Sequence, residues 1–209
     1  MTVEEIIKRV REYLDEVESH DIDVMSGSVP VEERIMALIP ECAIHYMEGK
    51  SMSDDVISSF AVDATGMATM DVPSDWGRLS ELRLSCWHRS VYDTIEADSA
   101  SYSRQQNLVT RGGTVRPVVA IVPYGEGRRL EMYSVPAWDN RVEVERAVYV
   151  PMPTIAVGED EVDIRPDKEA ALCYMIAIRE SRTNGNAQAV EMLNASLTEE
   201  LTLMKQRIL

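Results

Sequence analysis

"DVPSDWGRLSELRLSCW", residues 71–87, decides how the rest of this 209-residue chain is read. It opens on a Pro-Ser-Asp turn signal. It then alternates, with Leu82, Leu84 and Cys86 on one side and Arg83 and Ser85 on the other. A period of two is the mark of a half-buried strand. Toward both ends of the chain the apolar residues recur instead at helical spacing. The pattern is therefore helices, then strands, then helices.

Thr2 and Glu5 form a capping box ahead of a stripe of Val3, Ile6, Ile7, Val10, Leu14 and Val17. A second helix begins around Ser28–Pro30, carries Val31, Ile35, Leu38, Ile39, Cys42 and Tyr46 on one face, and is closed by Gly49. A hairpin turns at Thr65-Gly66. The strand of the opening stretch continues through "HRSVYDTI", and "SASYSRQQNLV" reads as a short helical turn. "VRPVVAIVPY" and "RRLEMYSVP" form two strands joined by Gly125-Glu126-Gly127. "RVEVERAVYVPMP" supplies another, with Val142 and Val144 separated by a bulge from Val148 and Val150. Helices return with Asp167 as N-cap of "KEAALCYMIAIRES", whose Ala171, Tyr174, Met175 and Ile178 share a side. "TNGN" breaks it. A last helix carries Val190, Leu193, Leu197, Leu201, Met204 and Ile208.

Neither terminal helix pair can bury its stripe alone, so the two pairs are expected to pack together as a bundle. The fold class is α+β: a helical bundle from residues 1–58 and 154–209, with an antiparallel β-subdomain inserted at 59–153. Trp76, Trp87 and Tyr133 are its expected anchors.

Composition narrows the function classes. The net charge of −15 argues against general nucleic-acid binding. Three well-separated Cys without a Cys-x-x-Cys pair argue for reduced, buried thiols and a reducing compartment. No apolar run approaches the ~18 residues of a membrane span, and "MTVEEIIKRV" is charged and amphipathic, unlike a secretory signal. A soluble protein with no membrane partner is expected.

The search for chemistry returns little. His20 with Asp21 and Asp23 reads as a polar helix end, and Cys42 with His45 makes half a zinc site at most. Nothing supports a Cys42–His88 nucleophilic pair. The acidic stretch at 159–163 lacks calcium-loop spacing. "TRGG" at 110–113 lacks the Gly-Lys-Ser/Thr ending of a phosphate loop, and the "NAS" sequon at 194–196 sits in a helix. The expectation is a protein that is not an enzyme, with no metal, no cofactor and no catalytic residue. The charge is uneven, however: from Arg104 to Arg129 there are five Arg and one acid, Glu126. Either this is a solvated surface or Arg104, Arg111, Arg116, Arg128 and Arg129 meet an acidic protein partner.

The central block as a set resembles the head–tail connector (adaptor) proteins of tailed phages, including short-tailed and crAss-like phages. The resemblance rests on "VPSDWGRL", "LRLSCWHRSV", "YSRQQN", "GGTVRPVVAIVP" and "LEMYSVP", with an amphipathic helix before and a long helix after them. It implies a homo-oligomeric ring, of twelve copies, in the virion neck, made in the host cytoplasm. Such a ring docks on the portal protein, meets other neck or tail proteins and extends the channel. DNA then passes through without sequence-specific binding, and an acidic wall would let it slide. On this reading the Arg cluster faces a neighbouring subunit or an adjoining ring. The stripe of the last helix divides: residues 190–197 in the bundle, and Met204, Ile208 and Leu209 on a partner. A second reading is an acidic regulatory protein that binds a basic partner.

Overall fold

The computed structural model describes residues 1–17, 30–133, 135–136, 141–155 and 161–207. The elements in chain order are α1 (Val3–Val17), α2 (Val31–Ala43), β1 (Lys50–Ser51), α3 (Asp54–Ser58), β2 (Ala61–Val62), β3 (Met67–Asp71), β4 (Trp76–Leu84), β5 (Ile95–Glu96), α4 (Ala100–Gln105), β6 (Val118–Tyr124), β7 (Gly127–Tyr133), β8 (Val144–Pro151), a 3-10 turn (Pro166–Lys168), α5 (Glu169–Thr183) and α6 (Ala187–Arg207). The fold is α+β. The chain divides into two compact units, Met1–Glu48 with Pro153–Leu209, and Gly49–Met152.

The helical unit follows its periodicity. In α1 the Thr2 N–H donates to Glu5 Oε2 (3.0 Å) and the Glu5 N–H to Thr2 Oγ1 (3.2 Å), so the capping box forms. Val3, Ile6, Val10 and Leu14 are buried. Each such side chain contributes about 1.5–3 kcal/mol relative to exposure. α5 is the hub, packed against α1, α2 and α6. That explains a departure from the expected single stripe. Ala171, Leu172, Cys173, Ile176, Ala177 and Ile178 are all buried, while Tyr174 and Met175 are half-buried. A helix with neighbours on three sides is apolar nearly all round.

Asp167 does not cap α5. Its carboxylate binds the Arg165 guanidinium through two bonds of 3.0 and 3.1 Å inside the 3-10 turn that precedes the helix. The break between α5 and α6 is as expected, and its geometry is a Schellman motif. Gly185 has φ 73°, the Gly185 N–H donates to Arg182 O, and the Asn186 N–H donates to Ser181 O. Asn186 Oδ1 then accepts from the Ala189 N–H to start α6.

The strand unit begins at Gly49, not at residue 59. β1 pairs with β8, so this segment belongs to the sheets. Gly49 is not a helix stop, since α2 already ends at Ala43. A Cβ there would lie 2.7 Å from Val148 Cγ1 and 2.9 Å from Ser80 Oγ, a close approach that admits only glycine.

Two sheets make up this unit, β1-β8-β4 and β2-β3-β7-β6-β5. All pairings are antiparallel except β5 with β6, which is parallel, so the second sheet is mixed. A parallel neighbour requires a crossover, and α4 lies on it. Trp76, Leu79, Leu82, Leu84, Ala147 and Tyr149 from one sheet share a core with Ala68, Met70, Val119, Ile121, Leu130 and Met132 from the other.

Residues 71–87 contain β4, and it runs earlier than alternation implies. It starts at Trp76 and stops at Leu84, where the Trp87 N–H donates to Leu84 O and the chain turns. "HRSVYDTI" does not continue it. Only the Leu82–Val91 bridge remains, before β5. The register against β8 skips Gly77 and Ser80. Those bulges space the buried residues Trp76, Leu79 and Leu82 three apart. The expected bulge in β8 falls at Glu145, opposite Arg83 and Leu84. Inside β8 the buried residues are Ala147, Tyr149 and Val150, with Val144 and Val148 half-buried. Trp76, Trp87 and Tyr133 are each buried, as expected of anchors.

Candidate interaction surface

The outer face of the five-stranded sheet carries a small second apolar cluster, Ala120, Val122 and Tyr133 with Met67, Ile95 and Tyr102 against it, and a buried acid beside it. Along β7 the side chains alternate: Leu130 and Met132 enter the core, while Glu131 and Tyr133 face outward. Glu131 is nonetheless only 6 % exposed, because α4 lies over it. Glu131 Oε2 accepts from Tyr102 Oη at 2.9 Å and from Tyr133 Oη at 2.8 Å, and Oε1 accepts from Arg129 Nη2 at 3.1 Å. Gln106 Nε2 donates to Tyr133 Oη at 2.9 Å. Burial, reinforced by the adjacent carboxylate, pushes the Tyr133 phenol far above its ordinary range, so it remains a donor at working pH.

This network adds to the packing of Tyr102 on Ala120, Val122 and Tyr133, including an edge-on contact with the Tyr133 ring, in holding α4 to the sheet. The one buried residue of α4 is Gln105. Ser99 caps the helix by accepting the Tyr102 N–H. Gln105 Oε1 accepts the Gly112 N–H at 2.8 Å, and Asn107 Oδ1 accepts the Val109 N–H at 2.9 Å. Thr110 Oγ1 donates to Arg104 O at 2.9 Å, and Arg111 Nη2 reaches Thr65 O at 2.7 Å. A Cβ on Gly112 would sit 2.6 Å from Arg116 O. Residues 106–116 are thus a loop pinned by side chains at several points. What it presents is apolar and basic. Leu108 is 70 % exposed and Val109 91 %, with Val115 also exposed.

The sequence motifs converge here. Tyr102, Gln105 and Asn107 of "YSRQQN", Gly112 of "GGTVRPVVAIVP", and Glu131 and Tyr133 of "LEMYSVP" all build this loop. Asp75 of "VPSDWGRL" has a separate task. It accepts from Tyr149 Oη and Lys50 Nζ, each at 2.8 Å, and so joins β1 and β8 to the start of β4.

The five arginines are not one patch. Arg104 and Arg116 are exposed and make no side-chain hydrogen bond or ion pair among the described residues. Arg111 is engaged with Thr65. Arg128 Nη2 donates to Trp76 O at 3.2 Å, and Arg129 holds Glu131 and stacks 4.2 Å from the Tyr124 ring centroid. β3 pairs Asp71 with Arg129 but Met67 with Tyr133. The two halves of the cluster therefore lie at opposite ends of β7, about 13 Å apart. Arg128 instead borders a cleft of about 660 Å³ with Asp71, Pro73, Ser74, Tyr124 and Glu126.

Met204 was expected on a partner, but it is buried in the helical core. Leu201 and Leu203 are the exposed apolar residues near it. The helix rotates Met204 onto the face that Leu193 also uses. Ile208 and Leu209 lie outside the described residues, as do His20, Asp21 and Asp23. Cys42 and Cys173 are buried, and burial pushes their thiols up to about 11 and about 12, which removes them as nucleophiles near neutral pH. Among the described residues no three His, Cys, Asp or Glu side chains gather as they would for a metal ion. No described helix is long and apolar enough to cross a membrane.

No family model matches this chain, and no curated protein is a significant match to its sequence.

Proposed function

We propose that this chain is a structural ring subunit of a bacteriophage neck, which docks on the portal, extends the DNA channel and gives tail proteins a platform. The observation that carries the reading is the loop at 106–116. Residues of three of the connector-like motifs, "YSRQQN", "GGTVRPVVAIVP" and "LEMYSVP", bond within it or hold the helix it follows, and its tip is apolar. A side-chain constellation of that kind serves contact with a protein, with no catalytic role. The layout agrees in kind, since a helical unit made from both ends of the chain carries an inserted strand unit. The acidity supports a wall along which DNA slides.

The test is a copy count. Native mass spectrometry of necks released from particles should find the chain in a closed ring of many copies, twelve on the connector pattern. One copy per particle contradicts the proposal. The second reading, an acidic protein that binds a basic partner, draws on the charge of the helical unit. It predicts a small complex of fixed stoichiometry in place of a ring.

A further inference from the structure

Charge divides between the units. Gly49–Met152 holds 11 Lys and Arg against 14 Asp and Glu, a net of −3. The remainder holds 10 against 22, a net of −12. Within the strand unit no acid occurs from residue 99 to 125, the stretch that contains the pinned loop. In sequence the exposed tip at Leu108 and Val109 is flanked by Arg104 and Arg116, which are exposed and make no side-chain bond among the described residues.

The helical unit offers a surface of the opposite kind. A cleft of about 490 Å³ on α1 is lined by Glu4, Ile7, Lys8, Arg11, Glu12 and Glu32. Its apolar floor is Ile7 with the stems of Lys8 and Arg11. Lys8 pairs with Glu12 at 3.9 Å and Arg11 with Glu32 at 2.7 Å, whereas Glu4 has no ion pair among the described residues. The loop offers apolar residues with arginines nearby in the chain, and the cleft offers Ile7 with three carboxylates, two of them already paired with Lys8 and Arg11.

We infer that loop 106–116 of one copy seats on the α1 cleft of a second copy. Leu108 and Val109 cover Ile7, and Arg104 and Arg116 face Glu4 and Glu12. This rests on the ring-subunit reading and specifies its contact. Charge selects the pairing. A two-fold contact through the loop would set arginines against arginines, and one through the helical units would set −12 against −12. Only loop against helical unit places unlike charges together. Such a contact uses two different surfaces of the same chain, and that is the heterologous arrangement from which rings are built.

The test uses the full chain with a benzophenone amino acid in place of Val109, mixed from isotopically light and heavy preparations. Irradiation should give crosslinked peptides of mixed isotope, joining the loop to residues 3–14 or 31–34. Arg104→Glu with Arg116→Glu should weaken self-association about tenfold or more, with an unchanged melting temperature. Adding Glu4→Arg and Glu12→Arg should restore it. Crosslinks within one copy, or to another surface of a second copy, overturn the contact and leave the ring to its own copy count. A chain that stays monomeric up to about 1 mM overturns the contact as well.

Discussion

Among the described residues each unit buries one carboxylate, and the two are used differently. In the helical unit Glu180, 1 % exposed, receives Arg34 Nε at 2.8 Å and Asn184 Nδ2 at 3.2 Å. Those residues stand on or beside helices that an extensive apolar core already holds. In the strand unit Glu131 receives two phenols and a guanidinium, and one of them, Tyr102, belongs to a short helix whose apolar anchorage is the small cluster of Ala120, Val122 and Tyr133. Glu180 neutralises its neighbour inside a structure that exists without it. Glu131 helps to hold a surface element. The first joins α2 to α5, and the second joins α4 to the outer face of a sheet.

The largest effect should come from the strand core. Trp87→Ala, at a side chain 2 % exposed, should cost about 3–5 kcal/mol in denaturant unfolding. Among the described residues its buried indole N–H has no hydrogen-bond partner. Trp87→Phe should cost less than Trp87→Ala, about 1–3 kcal/mol, since a smaller volume is lost and no hydrogen bond. A large loss in the Phe variant would mean that the N–H has a partner. In the helical unit Met204→Ala should cost about 2–4 kcal/mol. A truncation that removes Met204 should lower the melting temperature, while one that begins after it should not.

Glu131→Gln sharpens the comparison. It should cost about 2 kcal/mol and raise amide hydrogen exchange across 107–112, with the helical unit's amides unaffected. Unchanged exchange in the loop would break the link between network and loop. Gly112→Ala should cost about 1–3 kcal/mol by overpacking against Arg116 O. Its neighbour is the control: a Cβ on Gly113 meets nothing within 4 Å, so Gly113→Ala should be silent.

The smallest effect is a pH dependence. Partial burial alone would raise Asp75, but the Lys50 ammonium and the Tyr149 hydroxyl outweigh it and hold the carboxyl below its usual value. Asp63 is likewise lowered against its burial, by Thr65, the Met67 N–H and Arg111. A depressed folded value means that the stabilisation is present above the unfolded value of about 3.9. It is lost as pH falls through the lower folded value. Both groups are largely solvated, so the loss is modest. Asp75→Asn should flatten that part of the acid limb and leave neutral stability lower.

The helices were legible from sequence because one period governs each. The exceptions have local causes. α5 touches three helices, so no single stripe describes it. Met204 sits one turn from exposed leucines, and an apolar residue does not declare which side of a helix it faces. In the strand unit the hairpins were legible from their glycine turns. β4 was partly hidden, because bulges at Gly77 and Ser80 turn a period of two into three. Gly49 carried a glycine's usual signal for a helix end, but its reason is contact with Val148 and Ser80, distant in sequence. The arginine cluster was a cluster in sequence alone, since the β6–β7 hairpin carries Arg128 and Arg129 away from Arg111 and Arg116. The loop itself left a faint trace: Leu108 and Val109 stand in a polar, glycine-bearing run.

The central claim is that the loop tip serves assembly and not the fold. Leu108→Ser with Val109→Ser separates the two in one preparation, measured by unfolding free energy and by sedimentation across a concentration series. The account predicts stability within about 0.5 kcal/mol of the parent and loss of the self-associated species. A destabilised chain, or one that assembles as the parent does, would contradict it.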